Sequence, residues 1–301
     1  MRIAGVEVED TFAEAFPMKG ARVIVTAANE RWALEAARSF TGFATSVIGC
    51  KCEAGLERPL PARETPDGRP GVSLLLFAFD TESVGKRLLE RVGQCVLTCP
   101  TTACYDGLPA AQRRVNVGGR LRVFGDRHQA SKMIDGRRYW RVPVMEGEFL
   151  VQESFGVEAG VGGGNFLVLA ETVERALAAC EAAVEAIRAV RDVILPFPGG
   201  VVRSGSKVGS SYEGLPASTN EAYCPTLRAA VETRLPPDVG SVLEVVIDGF
   251  TEAAVAEAMR VGVRAAARPG VRAITAGNYG GKLGKFHFRL HELLESFPDP
   301  S

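Results

Sequence analysis

An α+β fold is what this sequence predicts, and three observations carry the prediction. A strand–helix–strand pattern occurs four times, twice in each half of the chain. The strands are short β-branched runs, and the segments between them place apolar residues at helical spacing. No Gly-x-Gly-x-x-Gly stands between a first strand and its helix, which counts against the alternative of one doubly wound sheet. Two βαβ units in one antiparallel-containing sheet make the split-βαβ, ferredoxin-like arrangement. The expected architecture is that arrangement duplicated, with an N-terminal lobe at 1–147 and a C-terminal lobe at 148–301. Gly164-Asn165-Phe166 and Gly277-Asn278-Tyr279 echo one another at turn-to-strand junctions.

In the first unit, Ala21–Ala27 is a strand, Asn29–Phe40 a helix with Trp32, Leu34, Ala37 and Phe40 apolar, and Ala44–Ile48 the return strand. The second follows the turn-rich Pro66–Gly71. Val72–Phe79 is a strand, Thr81 starts a helix through Gly93 in the manner of an N-cap, and Cys95–Cys99 returns before Pro100. In the third, Phe166–Ala170 is a strand and Thr172–Val190 an alanine-rich helix with Leu177, Cys180, Val184 and Ile187 on one face, before Val193–Leu195. In the fourth, Leu243–Ile247 is a strand, Thr251 caps a helix carrying Val255, Met259 and Val263, and Val271–Thr275 returns after Pro269-Gly270. The Arg-rich stretch Gly118–Gly147 is either a hairpin extension or an oligomerisation arm.

The bulk numbers narrow the function classes. With 301 residues, 46% hydrophobic and 24% charged, the chain has the mixture of a soluble globular protein. A net charge of -1 lacks the overall attraction that drives nucleic-acid or membrane-surface binding, so neither partner is expected. The N-terminus has no signal-like apolar core and no run reaches membrane-spanning length, so the expected location is the cytoplasm. Seven cysteines, an odd count, argue against a disulfide framework and read as reduced thiols. Three histidines, with His287 and His291 short of further ligands, leave no residue expected to hold a metal.

Two loops and one strand residue are the candidates for chemistry, the alternatives for the loops being a flexible polar connection and a series of Asx- and Ser/Thr-stabilised turns. Phe197–Ser210 sets Ser206 and Lys207 among glycines and serines, so exposed N–H groups lie beside a cation, a combination suited to a carboxylate or phosphate. It lacks the order of a P-loop. Leu215–Thr226 offers Asn220, Tyr223 and Thr226 between two prolines, suited to orienting a polar heterocycle. Glu244 shares a strand face with Val246 and Asp248, opposite Leu243, Val245 and Ile247. Such a carboxylate is usually solvated. Covered instead, it is desolvated, its pKa rises, and it can serve as a donor or general acid–base near neutral pH.

Several long stretches in one order resemble the formylmethanofuran–tetrahydromethanopterin formyltransferase family. They include Gly5–Phe16, Glu64–Gly71, Gly93–Val96, Glu146–Phe149, Phe197–Ser210, Leu215–Thr226, Ala258–Gly262 and Ala276–Gly284, nearly end to end. The resemblance implies two ferredoxin-like lobes, the first called proximal and the second distal. It implies a homo-oligomer, usually a tetramer, and no tightly bound cofactor. Methanofuran and tetrahydromethanopterin are then carrier substrates, and Glu244 matches the strand glutamate proposed for catalysis. Lys207 would meet carboxylates on a carrier tail, Asn220, Tyr223 and Thr226 would orient the pterin, and Ser206 and Asn165 complete the candidate substrate contacts. Near-equal basic and acidic counts, 35 against 36, resemble the branch of methylotrophic bacteria. There the member works as the D-type component of a formyltransferase/hydrolase complex that yields formate. The alternative is a non-catalytic carrier-binding or assembly role in that complex.

Overall fold

A computed structural model describes residues 1–295. The chain divides into two compact units, Met18–Gly160 and Met1–Pro17 with Val161 onward. In chain order it opens with β1 (Val6–Val8) and β2 (Phe12–Thr26), then α1 (Glu30–Thr41), β3 (Glu53–Leu60), β4 (Gly71–Ala78), α2 (Thr81–Arg91) and β5 (Ala103–Asp106). A meander follows, β6 (Ala130–Ile134), β7 (Arg137–Val144) and β8 (Gly147–Gln152). Then come β9 (Ser154–Ala170), α3 (Val173–Ile187), β10 (Val193–Ile194) and a two-stranded hairpin of β11 (Ser206–Val208) and β12 (Ala217–Thr219). β13 (Ser241–Gly249), α4 (Glu252–Ala266), β14 (Val271–Thr275) and β15 (Phe286–Arg289) complete the strand and helix framework. This is an α+β protein, and among the described residues no helix is long and apolar enough to cross a membrane.

Within Met18–Gly160 the sheet runs β5–β2–β4–β3, each pair antiparallel. Every residue of β4 is buried. Val72, Leu74 and Leu76 pack with Phe40 of α1 and Val84 and Leu88 of α2. Asn29 caps α1 by accepting from the Trp32 N–H at 3.2 Å. The cap of α2 is Asp80, which accepts from the Ser83 N–H at 2.8 Å, so Thr81 is the first helical residue and not the cap.

Two return strands differ from expectation. Ala44–Ile48 is no strand: Val47–Cys50 forms a short helix, and the strand is β3, Glu-Ala-Gly-Leu-Glu-Arg-Pro-Leu. That sequence hides its nature because an edge strand tolerates Pro59, and because its buried Glu57 is satisfied by the guanidinium of Arg22 (2.9 Å, twice) and the Ser73 hydroxyl (2.5 Å). Cys95–Cys99 is no strand either. The chain runs on from α2 through a π-turn at Val92–Val96, burying Val92 and Val96, and the return strand is β5 beyond Pro100. The Arg-rich stretch includes the β6–β7 hairpin, and β8 adds in parallel to β5. Gly147, where a boundary between lobes was expected, begins β8 after its tight turn from β7, inside this unit.

In the other unit the sheet runs β14–β9–β13–β10, again all antiparallel, with β1 added in parallel to β14 and β15 beside residues 12–15 of β2. Helices α3 and α4 cover one face, with Val255, Met259 and Val263 packed on Phe166, Val168, Val245 and Ile247. Leu177 lies off the buried stripe of α3, which runs instead through Ala176, Ala179, Cys180, Ala183, Val184 and Ile187. β9 carries a bulge between Val161 and Gly164, where Gly163 takes a φ of +90°. A side chain at Gly164 would come within 2.4 Å of Val255, so the small residue lets α4 lie against the strand. All seven cysteines are free, three of them (Cys52, Cys104 and Cys180) buried.

Removing the carboxylate in Glu57→Ala takes this acceptor from the mostly buried Arg22 guanidinium. The expected loss is about 3 kcal/mol, read as a lower urea midpoint with an unchanged slope. An unchanged midpoint would show that the pair adds nothing to stability.

Candidate active site

The strand alternation that packs Leu243, Val245 and Ile247 under the helices turns Glu244 to the opposite face of its sheet. Glu244 is paired across β13 with Leu167 of β9, and on its other side exchanges two backbone bonds with Val202, at 2.8 and 2.9 Å. The segment between β12 and β13 closes over this face. Its Leu235 and Val239 form a small apolar cluster with Leu167, Leu169 and Ala273, and Tyr223 packs against them. Arg228 holds the segment by donating to the carbonyls of Leu235 (3.3 Å), Pro236 (2.8 Å) and Val239 (2.5 Å).

A cavity of about 300 Å³ opens there, lined wholly by residues of the unit that contains Glu244. A smaller space of about 40 Å³ shares Leu167, Gly205, Asn220, Tyr223 and Glu244 with it. Glu244 is only partly exposed, and among the described residues its carboxyl has no side-chain or backbone hydrogen-bond partner. Desolvation therefore acts unopposed, and pushes its pKa from the usual 4.5 up to about 7.

Of the residues expected to bind substrate, Ser206, Lys207, Asn220, Tyr223 and Asn165 line the cavity together with Glu244. Thr226 does not. It lies exposed on a short turn, Pro225–Leu227, outside the lining. Lys207 is already engaged, its ammonium bonded to the Glu221 carboxylate, which lowers the pKa of that acid. Asn165 is buried and spends its amide on the backbone: Nδ2 donates to the carbonyls of Gly163 (3.0 Å) and Gly277 (3.2 Å), and Oδ1 accepts from the Gly277 N–H (2.6 Å).

Sequence reasoning missed Arg234 and Tyr279. Arg234 lines the cavity exposed, with no acidic partner among the described residues. Tyr279 lines it from the loop that follows β14. Burial, then the negative charges of Glu244 and Glu14, raise the pKa of its phenol and keep it protonated. The sequence marked this loop through its glycines, the Gly277-Asn278-Tyr279 echo and the family-like stretch Ala276–Gly284, but gave Tyr279 no role.

The site thus holds one desolvated carboxyl titrating near neutrality, the phenols of Tyr223 and Tyr279, the amides of Asn165 and Asn220, and two cations, of which Lys207 is internally paired. Such a set suits proton transfer on a polar substrate with an anionic part.

The raised pKa has a sign that stability measurements can read. Below about pH 4.5 the carboxyl is neutral in folded and unfolded chains alike. Between 4.5 and about 7 only the unfolded chain ionises, so stability falls as pH rises, by at most about 3 kcal/mol above pH 7. Glu244→Gln removes that loss. The variant should match the wild type at pH 4 and exceed it increasingly in thermal melts up to pH 8. A constant difference across that range would contradict the assignment.

Comparison with known proteins gives this site a family. The model described as formylmethanofuran-tetrahydromethanopterin formyltransferase matches residues 1–144, and its companion, described as the proximal lobe, matches 147–293. The proximal label thus attaches to the second half, where the sequence reading had put it on the first. The formylmethanofuran–tetrahydromethanopterin formyltransferase of Methylococcus capsulatus is 59% identical, over 98% of this chain and 100% of its own. The solved formyltransferase of Methanosarcina barkeri superposes with a TM-score of 0.93 at 52% identity, covering 97% of this chain and 100% of that one. A chain from the formyltransferase/hydrolase complex of Methylorubrum extorquens, solved with methylofuran, gives 0.95 at 51% identity, covering 98% and 99%. The chain belongs to the formylmethanofuran–tetrahydromethanopterin formyltransferase family.

Proposed function

We propose that this chain transfers a formyl group between a tetrahydromethanopterin-type pterin and methanofuran or a methanofuran-like carrier, with Glu244 as the proton-transferring residue. The observation that carries the reading is the Glu244 carboxyl itself, unpartnered in a desolvated cavity with a pKa of about 7. Formyl transfer between two nitrogens proceeds by attack of one amine on the formyl carbon. The attacking nitrogen must lose a proton and the leaving nitrogen must gain one. A carboxyl that is part ionised and part neutral near pH 7 can take the first and return the second, so no net proton is left on the protein. The cavity, about 300 Å³, has room for the reacting ends of the carriers beside Glu244, the close placement that transfer also requires.

The substrate contacts belong to the same proposal. Asn220 and Tyr223 orient the pterin beside Glu244, Ser206 lies on the same wall, and Thr226 has no part in the cavity. Lys207 is tied to Glu221, so Arg234 supplies the less compensated positive charge for carboxylates on a carrier tail. The two units read as a duplicated ferredoxin-like fold. Each contains a βαββαβ run, in sheet orders β5–β2–β4–β3 and β14–β9–β13–β10, which supports that reading. The chain works in the cytoplasm as a homo-oligomer, and as the D-type component beside hydrolase subunits. The named complex that contains its Methylorubrum extorquens relative supports this last point.

The test is a transfer assay on the purified chain with formyl-tetrahydromethanopterin and methanofuran, followed by pterin absorbance. Glu244→Gln should lower kcat on the order of 10²-fold with KM little changed. Full turnover by that variant would remove Glu244 from the mechanism. Carrier binding without transfer by the folded wild type would instead make this a carrier-holding or assembly subunit. Arg234→Ala should raise KM for the carrier more than Lys207→Ala does, and the reverse order would return the anion-binding role to Lys207.

A further inference from the structure

Gly277, Asn278 and Tyr279 line the cavity from the start of the loop Gly277–Gly284, and two buried side chains hold that loop. Asn165 takes its first residue through the two bonds to Gly277. Glu14, 1% exposed, takes the rest. Its Oε2 accepts from the N–H of Tyr279 (2.7 Å) and Gly281 (2.8 Å), and its Oε1 from Leu283 (2.6 Å) and Gly284 (2.6 Å). Two donors per oxygen satisfy the carboxylate in full. No lysine or arginine pairs with it among the described residues, so its charge is held by backbone dipoles alone. The loop is shaped to this anion. Gly281 takes a φ of +72°, and a side chain at Gly284 would come within 2.5 Å of the Ala15 carbonyl.

The loop lines the cavity with Asn278, whose amide is spent on the Thr11 hydroxyl, the Phe12 carbonyl and the Gly280 N–H, and with the phenol of Tyr279. Its ring rests near Phe16, centroids 6.0 Å apart, and the phenol shares the cavity wall with Glu244. With Glu244 carrying protons, nothing yet assigned meets the negative charge that develops on the formyl oxygen as the amine attacks. A neutral phenol fixed at the wall is a donor suited to that oxygen.

We propose that Tyr279 is a further catalytic residue of the transfer, its hydroxyl donating to the formyl oxygen in the tetrahedral state, and that Glu14 is the positioning residue that aims it. No bond to Tyr279 forms or breaks; the phenol keeps its proton throughout. The proposal rests on the formyl-transfer reading of the site. Burial with the nearby charges of Glu244 and Glu14 keeps the phenol neutral, as a donor must be.

The experiment is a double-mutant cycle in the transfer assay, with melting temperatures taken alongside. Tyr279→Phe retains the ring against Phe16 and should lower kcat about 10²-fold, with carrier KM changed less than about threefold. Glu14→Gln, which cannot accept four N–H donors, should lower both melting temperature and kcat. In the Tyr279→Phe background its effect on melting should persist in full while its effect on kcat vanishes. Should Glu14→Gln fail to fold, Gly281→Ala strains the same loop and should show the same split. Wild-type kcat in Tyr279→Phe overturns the proposal, as does a kcat loss from the loop variants that multiplies in full onto Tyr279→Phe. A wild-type chain without transfer, or an undiminished Glu244→Gln, defeats the underlying reading instead. Slow Glu244→Gln beside fast Tyr279→Phe defeats only this one.

Discussion

Desolvation of Glu244 is the constraint on which the rest of the site depends. Its strand is covered on one face by α3 and α4 and on the other by Leu235, Val239 and Tyr223, so the carboxyl has lost water and gained no donor. A carboxylate left in that condition is ordinarily destabilising, and a fold would replace it with an apolar residue at little structural expense. Its presence on a mainly apolar strand is intelligible through chemistry, since the same desolvation brings its pKa to where proton transfer in both directions is possible.

Glu14 makes the comparison sharp, because it is a buried strand carboxylate of the same unit with the opposite outcome. Burial raises its pKa too, as the largest single influence, yet four N–H donors together outweigh it and the net shift is downward. One carboxyl is therefore a fixed anion and the other a titrating group, although both are strand glutamates, Glu14 buried and Glu244 partly exposed. Hydrogen-bond donors decide between them. This also separates their roles: a carboxylate with every acceptor site filled cannot exchange protons with a substrate, so Glu14 can shape the cavity and Glu244 can react within it.

Much of this was legible in the sequence, and the failures have physical causes. Helices α1 to α4 and the strands before them follow from periodicity, because each buries one face and exposes the other. The face of Glu244 followed from alternation alone. The return strand β3 was hidden because Glu57 and Arg22 neutralise one another inside the fold, a pairing across 35 residues that no local pattern records. Cys95–Cys99 misled because buried apolar residues serve a continuing helix as well as a strand. In the site, Lys207 was visible as a cation but its partner Glu221, 14 residues on, was not. Thr226 was grouped with Asn220 and Tyr223 by proximity in sequence, and a turn at Pro225 carries it away from the cavity. Glu14 gave no signal, since its four donors lie 265 to 270 residues away.

The disposition of positive charge follows from the same logic of partners. A lysine bonded to an internal carboxylate offers a substrate anion only what remains after that bond is exchanged, and Glu221 must then be resolvated. The exposed guanidinium of Arg234 asks for no such exchange. Its rigid fork matches a carboxylate in two parallel bonds, which a lysine ammonium cannot do. Lys207 and Glu221 instead bridge the β11–β12 hairpin to the turn that bears Tyr223, so their pair stiffens the wall of the cavity on which Asn220 and Tyr223 stand. On the proposed reading, loss of Lys207 would loosen the cavity wall before it weakened the grip on an anionic tail, since its ammonium is spent on Glu221 while Arg234 has no such pair among the described residues.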